Sequence, residues 1–340
     1  MNMVKWLDDI KKSKEKKALP ILSFPSVQLL NISVKQLISS SDYQAEGMKA
    51  VADATDSLAS VSLMDLSVEA ECFGANVVAS DDEVPTVTGH VVTTMQDAET
   101  LCVPNVGSKR TNIYIEAINK AKRLITDRPV FAGVIGPFSL AGRLLDVTEA
   151  MVLCYDEPEL VHTVLDKCTQ FIIKYIDAYK KAGADGIMLA EPLGGLLSPS
   201  LADEFSSAYV KKIVNQSQTE DFSIIYHNCG DNVIQMIDGI LDTGAAAYHF
   251  GNSIDMSIMM SKLPEDIVAM GNVDPAGQIK NGSVESIRRN TLEIMEKCSS
   301  YSNFIISTGC DVPPMAPWEN IDAFFNAVNE YNKKHNERIM

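Results

Sequence analysis

The sequence predicts an α/β protein built as a single (β/α)8 TIM barrel. Short apolar runs rich in Val, Ile, Leu and Ala alternate with longer segments of helical period, which is typical of parallel strands joined by crossover helices. There are eight such runs, the number of strands in a closed parallel barrel. No Pro-, Gly- or Ser-rich linker or change in composition divides the chain, so we expect one domain over residues 1–340.

The expected elements follow in the order that a barrel requires. The expected strands are residues 21–24, 60–66, 129–135, 186–190, 223–227, 245–250, 267–271 and 304–308. The expected helices are residues 41–57, 112–125, 157–182, 200–217, 232–242, 284–298 and 318–334. Residues 67–128 do not fit one simple crossover, and residues 76–79 and 86–88 resemble short extra strands. We therefore expect an excursion between the early strands.

Composition excludes several classes of function. The net charge of −16 argues against a nucleic-acid or anionic-membrane partner, because phosphate groups are bound by basic surfaces. There is no run of about eighteen apolar residues, and we expect a cytoplasmic protein. The seven cysteines are an odd number without a regular spacing, so we expect reduced thiols rather than a disulfide framework.

Polar residues recur where the expected strands end. In a (β/α)8 barrel the active site lies at the carboxyl ends of the strands, so these residues should gather at one mouth. They are Asp65, Glu69, Glu191, His227, Cys229, His249, Asn252, Asp274, Cys310 and Asp311, and Gly136 and Phe138 follow the expected strand at residues 129–135. This repeated placement is stronger evidence for a functional mouth than any one motif.

Three of these residues have the chemistry of metal ligands. Residues i and i+2 of a strand point to the same face, so His227 and Cys229 converge at the end of one apolar run. Cys310 ends another run and supplies a third ligand if the two strand ends lie side by side. Three protein ligands and an open fourth position are typical of a catalytic zinc site.

The motifs at these strand ends carry a family resemblance. The chain resembles the uroporphyrinogen decarboxylase superfamily from about residue 130 onward, through Gly136-Pro137-Phe138-Ser139-Leu140-Ala141-Gly142, His227-Asn228-Cys229-Gly230, Gly271-Asn272-Val273-Asp274-Pro275 and Gly309-Cys310-Asp311-Val312-Pro313-Pro314. The His-x-Cys pair with the late Gly-Cys is similar to its zinc-dependent branch, the methylcobamide:coenzyme M methyltransferases and their relatives. The resemblance implies a (β/α)8 barrel and assigns His227, Cys229 and Cys310 as ligands of Zn²⁺.

Chemistry favours that branch over decarboxylation of a porphyrinogen. An octacarboxylate substrate calls for an arginine-rich N-terminal segment, since guanidinium pairs with carboxylate in a bidentate manner. Here the first arginine is Arg110. Zinc held by two thiolates and an imidazole activates a thiol, which then attacks the methyl group of a methylated corrinoid such as methylcobalamin. We therefore expect a corrinoid protein as partner and a small-molecule thiol or similar acceptor.

We infer the expected roles of the other mouth residues from their side-chain chemistry. We expect catalytic roles for Asp65, Glu191, His249 and Asp311, with Asp65, Glu191 and Asp311 as alternatives for a fourth zinc ligand. We expect cofactor-binding roles for Gly136, Phe138, Asn252 and Asp274. Structural interpretations stay open for three of them: Glu191 caps a helix, His249 is a hydrogen-bonded mouth histidine, and Asp274 is a turn residue.

Other functions also stay open. The acceptor is a thiol or a folate-type molecule, and the transfer runs toward or away from the corrinoid. One alternative is a decarboxylase-like lyase without a metal, and another is a corrinoid- or partner-binding scaffold with a structural zinc. Superfamily members often dimerise, which makes a homodimer an expectation from the resemblance.

Overall fold

The computed structural model describes residues 1–339, with side chains through His335. Met340, the last residue of the expected domain, lies outside the described residues. The strands are β1 (Ser60–Val61), β2 (Asn76–Val78), β3 (Thr86–Thr88), β4 (Val130–Ile135), β5 (Gly186–Ala190), β6 (Ser223–Asn228), β7 (Ala247–Phe250), β8 (Val268–Val273) and β9 (Phe304–Thr308). Seven of them form a parallel sheet in the order β1-β4-β5-β6-β7-β8-β9, while β2 and β3 pair as an antiparallel hairpin. The hairpin confirms the expected excursion.

The helices occupy the crossovers between the strands. They are α1 (Met3–Lys12), α2 (Ser26–Leu30), α3 (Val34–Ile38), α4 (Ser41–Ala54), α5 (Val68–Cys72), α6 (Met95–Thr100), α7 (Thr111–Leu124), α8 (Pro137–Leu145), α9 (Val147–Asp156), α10 (Pro158–Ala182), α11 (Pro199–Ala202), α12 (Ala208–Ser217), α13 (Ile237–Asp242), α14 (Met256–Lys262), α15 (Val284–Lys297) and α16 (Trp318–Ile339). Within residues 1–339, none of these helices is long and apolar enough to cross a membrane.

The expected first strand, residues 21–24, is not a regular strand, so the sheet has seven parallel strands rather than eight. Pro20 has no N–H to donate to a ladder. The N–H of Ile21 donates to the side-chain hydroxyl of Thr308 at 3.2 Å instead of to a backbone carbonyl. The expectation of an eighth regular strand was therefore wrong.

The segment that precedes β1 nevertheless contacts both edges of the sheet. Leu19 N donates to the carbonyl of Ile306 in β9 at 3.0 Å, and Leu58 N, just before β1, donates to the carbonyl of Ala18 at 2.9 Å. The hydroxyl of Ser23 donates to the carbonyl of Val61 in β1. The two edge strands of the sheet are thus linked through one irregular segment.

The second expected strand is shorter than predicted. Only Ser60–Val61 pairs regularly with β4. The hydroxyl of Ser62 accepts the N–H of Gly133 at 2.9 Å, and this side-chain bond replaces the next rung of the backbone ladder. The chain beyond residue 62 therefore leaves the sheet and carries Asp65 toward the mouth.

Two apolar clusters separate the inside of the curved sheet from its outside. The inner cluster takes alternate residues of the parallel strands together with the N-terminal helix: Met3, Leu7, Leu19, Ile21, Ala59, Val61, Met64, Phe131, Met188, Ala190, Ile225, Ala247, Val268, Met270 and Ile305. The larger cluster packs the other strand faces against the helices. Because Met3 and Leu7 of α1 belong to the inner cluster, α1 packs at the amino ends of the strands, and the polar residues lie at the carboxyl ends.

Phe131 fills the inner cluster opposite a glycine. It is fully buried, and it lies opposite Gly186 in the β4–β5 register. A Cβ on Gly186 would come within 2.4 Å of the Phe131 ring, so the small residue makes room for the large one. The ring of Trp6 from α1 packs 5.8 Å from the Phe131 ring, centroid to centroid.

Replacing Phe131 with Ala should leave a cavity at this position. We expect Phe131→Ala to lower the free energy of unfolding by about 3–5 kcal/mol, measured by urea denaturation. Tyr155→Ala removes an aromatic ring that is 70% exposed and should change that free energy by less than about 0.5 kcal/mol. Equal effects of the two substitutions would contradict the assignment of Phe131 to the inner core.

Candidate metal centre

The three expected metal ligands lie together at the carboxyl ends of β6 and β9. The ligand atoms of His227, Cys229 and Cys310 all lie within 4.8 Å of one another. In the sheet β6 and β9 are not neighbours, because β7 and β8 lie between them. Four flat strands would span roughly 14 Å at the usual spacing. The curvature of the sheet, rather than direct strand pairing, therefore brings the ligands together.

The distances within this group suit a tetrahedral zinc ion. Zinc bonds of about 2.3 Å to sulfur and about 2.1 Å to nitrogen place sulfur and nitrogen about 3.6 Å apart at the tetrahedral angle. The Sγ of Cys310 lies 3.6 Å from Nε2 of His227. His227 is buried and the two cysteines are half-buried, so the group is shielded on the protein side and open on the other. These residues fit zinc.

The two thiols of the group are coupled. The hydrogen bond between them lowers the pKa of Cys229 and, together with burial, raises the pKa of Cys310 to about 12. The contact thus shifts the pKa values of the two thiols in opposite directions, and a thiolate is the form of cysteine that binds a metal.

A buried hydrogen-bond chain orients His227. Its Nδ1 lies 2.7 Å from Nδ1 of His249, and Nε2 of His249 lies 2.8 Å from the hydroxyl of Ser307. That hydroxyl donates to the carbonyl of Leu19 at 2.6 Å, so it accepts from His249. His249 then carries its proton on Nε2 and accepts from Nδ1–H of His227. The lone pair of His227 Nε2 is left facing the two thiols.

His249 is a buried partner of His227 and not an exposed mouth histidine. It has no solvent-accessible surface, and burial together with neighbouring His227 lowers its pKa well below the ordinary value. A neutral imidazole has one donor and one acceptor, and both are used within the chain described above. Of its two interpretations from the sequence, the geometry supports the hydrogen-bonded one.

Close backbone approach at Gly251 helps to place Cys229. Gly251 directly follows β7, and a Cβ on it would lie within 2.9 Å of three atoms of Cys229. No side chain fits there without displacing the loop that carries the sulfur. The glycine after β7 is therefore a requirement of the neighbouring ligand.

Asp65 is saturated by a network around Arg110. One oxygen, Oδ1, accepts from the N–H and hydroxyl of Ser67 at 3.1 and 2.5 Å. The other, Oδ2, accepts from Arg110 Nη1 at 2.5 Å and from the Tyr114 hydroxyl at 2.6 Å. Arg110 also pairs with Glu71, its Nε lying 2.7 Å from the carboxylate. The network fixes the orientation of the Asp65 side chain, because both of its oxygens accept hydrogen bonds and one of them accepts from a charged guanidinium.

Glu191 caps a helix other than the one that follows it. Its Oε1 accepts from the N–H of Ser139 in the first turn of α8 at 2.9 Å. Gly136, at the N-cap of α8, lies against the same carboxyl group, and a Cβ there would be 1.6 Å from Glu191 Oε2. Gly136 therefore makes room for the cap. Burial raises the pKa of Glu191 to about 8.

Two more buried carboxyl groups lie near this rim. Glu69 accepts from the N–H of Ile135 at 3.0 Å, while its Oε2 has no hydrogen-bond partner, and burial raises its pKa to about 8. Neither carboxyl oxygen of Asp311 has a partner, and burial, then Cys310 and Asp65, raise its pKa well above the ordinary range. Among the described residues, the metal group includes neither of these nor Asp65 or Glu191.

The residues expected to bind a cofactor occupy three different environments. Phe138 is fully buried in the outer core and packs there. Asp274 accepts from the N–H groups of Ala276 and Gly277 at 2.9 and 2.8 Å, which is the turn role that its sequence context also allows. Asn252 is exposed and packs against Gly309, next to Cys310. Asn252 and Asp274 line one cavity of about 320 Å³.

Some parts of this site were not predicted from the sequence. The contact between His227 and His249 depends on the register of β7 against β6, in which the two histidines lie opposite each other. Each histidine is the second-to-last residue of its strand, and this shared position is a sequence signal for the contact. The partners of Asp65, namely Arg110 and Tyr114, come from the far end of the excursion and had no local signal.

The structure is an α/β protein with a candidate metal group of three residues at the carboxyl ends of its strands. A family model described as uroporphyrinogen decarboxylase (URO-D) matches residues 26–331, and the chain belongs to that family. This confirms the resemblance seen in the motifs.

The chain is similar both to methyltransferases and to decarboxylases. The methylcobamide:CoM methyltransferase MtbA of Methanosarcina acetivorans is 28% identical over 273 residues, which cover 78% of each chain. A uroporphyrinogen decarboxylase of Coxiella burnetii is 29% identical over 259 residues, 73% of this chain and 70% of the relative. The structure of a methyltransferase from Methanosarcina mazei superposes with a TM-score of 0.85 at 22% identity, covering 96% of this chain and 97% of that one, and shows the same fold.

Removing the partner of His227 should weaken metal binding. We expect His249→Ala to lower the zinc affinity about 10–100-fold, because His227 loses the group that sets its tautomer and orientation. Competition with a chromophoric chelator measures the affinity. His162→Ala, which removes a histidine bonded to Tyr209 and Glu204, is the matched control and should leave it unchanged. Unaltered affinity in His249→Ala would contradict this role.

The raised pKa of Glu69 predicts a pH-dependent stability. The pKa of Glu69 rises from 4.5 in the unfolded chain to about 8 in the folded protein. The contribution of Glu69 to the free energy of unfolding is therefore fully present below about pH 4.5 and is lost as the pH rises through about 8. Between about pH 5 and pH 8 the free energy of unfolding should fall less in Glu69→Gln than in the wild type. We expect the two decreases, measured by urea denaturation, to differ by on the order of 2 kcal/mol. Glu265→Gln, at an exposed position, should behave as the wild type. Parallel pH profiles for all three proteins would contradict the buried, protonated state of Glu69.

Proposed function

We propose that this protein is a zinc-dependent methyltransferase that moves a methyl group between a methylated corrinoid and a thiol. The observation that carries the proposal is the group of one imidazole and two thiols, spaced for a tetrahedral zinc with a free fourth position. The similarity to MtbA, whose name describes transfer from a methylcobamide to CoM, supports this class.

Each residue of the candidate site has a separate role in the proposed reaction. His227, Cys229 and Cys310 would hold the ion, and when bound it would lower the pKa of a thiol that enters the open position. His249 and Ser307 keep His227 in the metal-binding tautomer. The half-buried cysteines face the open end of the sheet, which leaves room for a corrinoid-bearing partner to approach from solvent.

The proposed reaction is balanced without a further reagent. In the thiol-methylating direction the Co–CH₃ bond breaks, the S–CH₃ bond forms and the thiol proton leaves. The corrinoid keeps the electron pair of the broken bond, so Co(III) becomes Co(I). We propose a corrinoid protein as the donor and a small thiol as the acceptor, with the corrinoid itself bound by the partner.

Decarboxylation is the second candidate, because a decarboxylase from Coxiella burnetii is as similar to this chain as MtbA is. Two observations favour methyl transfer. Residues 1–109 contain no arginine to bind a polycarboxylate. Decarboxylation also does not require two thiols within 4.8 Å of an imidazole.

We further propose that the sheet is a (β/α)8-type barrel in which the segment before β1 takes the place of one strand. The support is its pair of backbone hydrogen bonds, one to β9 and one just before β1. A homodimer remains a prediction from the resemblance, and size-exclusion chromatography with light scattering tests it.

Methylcobalamin provides a direct test of the reaction. We expect the zinc-loaded protein to convert methylcobalamin to cob(I)alamin in the presence of small thiols. The absorbance of cob(I)alamin under anaerobic conditions measures the conversion. Removal of zinc with a chelator should abolish the conversion, and added zinc should restore it. If zinc-loaded protein demethylates methylcobalamin with none of the thiols or folates tried, the proposed reaction is wrong.

The ligand assignment has a separate test. Cys229→Ala and Cys310→Ala should each lose bound zinc, because two remaining protein ligands bind it weakly. Elemental analysis after gel filtration measures the metal content. Cys102→Ala removes an exposed thiol outside the group and is the control that should keep one zinc per chain. Full zinc content in both ligand variants would show that the ion is held elsewhere.

A further inference from the structure

Asn228 lies between two of the candidate metal ligands but faces the other side of β6. Neighbouring side chains of a strand point to opposite faces, so His227 and the following Cys229 share the inner face. Tyr226 and Asn228 share the outer face, and Tyr226 accordingly belongs to the outer core cluster. Asn228 is only 1% exposed. Its amide group is taken out of water and therefore needs partners within the chain.

Both ends of the Asn228 amide group are hydrogen-bonded. Its Oδ1 accepts from the N–H of Gly230 at 3.0 Å, two residues further along the chain. Its Nδ2 donates to the hydroxyl of Tyr226 at 3.1 Å, two residues earlier on the same face. The bond to Gly230 closes an Asx turn, in which an Asn side chain takes the place of a backbone carbonyl. Cys229 is the central residue of this turn, so the Asn228 side chain fixes the backbone from which the sulfur projects.

Close backbone contacts confine the same turn from two sides. A Cβ on Gly195, which follows β5, would lie 2.2 Å from Oδ1 of Asn228 and 2.7 Å from Cα of Gly230. On the other side, Gly251 lies against Cys229 in the same manner. The turn is thus held between the segments that follow β5 and β7, and a shift of Cys229 would displace one of them.

We propose that Asn228 is a positioning residue for the metal centre, and that its Asx turn aims the sulfur of Cys229 at His227 and Cys310. The ligand atoms of these three residues lie within 4.8 Å of one another, so a rotation of the Cys229 backbone would take one ligand out of the group. The inference rests on the proposed function, because it takes Cys229 as a ligand of zinc. Asn228 acts through the backbone of Cys229, since its own side chain points to the outer face.

Zinc affinity and the spectrum of the cobalt-substituted protein test this role without methyl transfer. In Asn228→Ala the N–H of Gly230 loses its partner, and we expect the zinc affinity to fall about 10–100-fold. Competition with a chromophoric chelator measures the affinity. The thiolate-to-cobalt charge-transfer absorption of the Co²⁺ protein reports the bonds to sulfur. It should be weaker in Asn228→Ala than in the wild type.

Asn303→Ala is the matched control. Asn303 is a similarly buried asparagine whose Nδ2 donates to the backbone carbonyls of Pro264 and Ile267. It directly precedes β9, at the amino end of that strand, whereas the metal group lies at the carboxyl ends. The variant should lose stability in urea denaturation and keep the wild-type zinc affinity and cobalt spectrum. An equal loss of zinc affinity in Asn303→Ala and Asn228→Ala would overturn the proposal, because it would reflect a general loss of stability.

Conservative substitutions separate the turn from packing. Asn228→Asp keeps an oxygen that accepts from the N–H of Gly230, and the hydroxyl in Asn228→Ser closes the same turn more weakly. We expect the zinc affinity to decrease in the order wild type, Asn228→Asp, Asn228→Ser, Asn228→Ala. Unchanged affinity in Asn228→Ala, or affinity in Asn228→Asp as low as in Asn228→Ala, would overturn the proposal. If Asn228→Ala does not fold, equal affinities of Asn228→Asp and Asn228→Ser would overturn it.

The positioning role and the proposed reaction fail in different ways. If methylcobalamin is not demethylated with any acceptor but the zinc affinity depends on Asn228, the reaction is wrong and Asn228 still positions a zinc ligand. If methylcobalamin is demethylated while Asn228→Ala keeps the wild-type zinc affinity and cobalt spectrum, methyl transfer stands and the role of Asn228 is wrong.

Discussion

The hydrogen bond between His227 and His249 is the contact on which the candidate metal centre depends. It uses the nitrogen of His227 that faces away from the thiols, and so it decides which nitrogen is free to bind a metal. The same bond extends through Ser307 to the carbonyl of Leu19, in the segment that contacts both edges of the sheet. The segment that links the two edges of the sheet therefore also helps to orient His227. Burial and neighbouring His227 lower the pKa of His249, which favours the neutral imidazole that this hydrogen-bond chain needs.

The curved parallel sheet supplies what local sequence cannot. It places the ends of β6 and β9 on opposite sides of two intervening strands and still brings their ligands together. The carboxyl groups around this site differ in their hydrogen-bond partners. Asp65 is fixed by Arg110, Glu191 caps α8, and Asp311 is buried beside Cys310 without a partner. The half-buried thiols of Cys229 and Cys310 remain accessible to a ligand at this end of the described chain.

Much of this arrangement could be predicted from the sequence because it depends on short-range patterns. Strand ends, helix periods and the i, i+2 spacing of His227 and Cys229 are local properties, and they predicted which residues gather in the candidate metal group. The expected strand at residues 21–24 failed because Pro20 and the Thr308 hydroxyl decide its hydrogen bonding, and Thr308 is remote in sequence. The role of His249 depends on strand register, which is not visible until the chain is folded.

In the proposed metal centre one imidazole and two thiolates hold zinc and leave a position for a thiol. X-ray absorption at the zinc edge of the reconstituted protein measures this coordination. We expect two sulfur neighbours at about 2.3 Å and nitrogen or oxygen neighbours at about 2.0–2.1 Å, with a third sulfur appearing when a substrate thiol is added. A first coordination sphere without sulfur, or one that stays unchanged at saturating thiol, would contradict it.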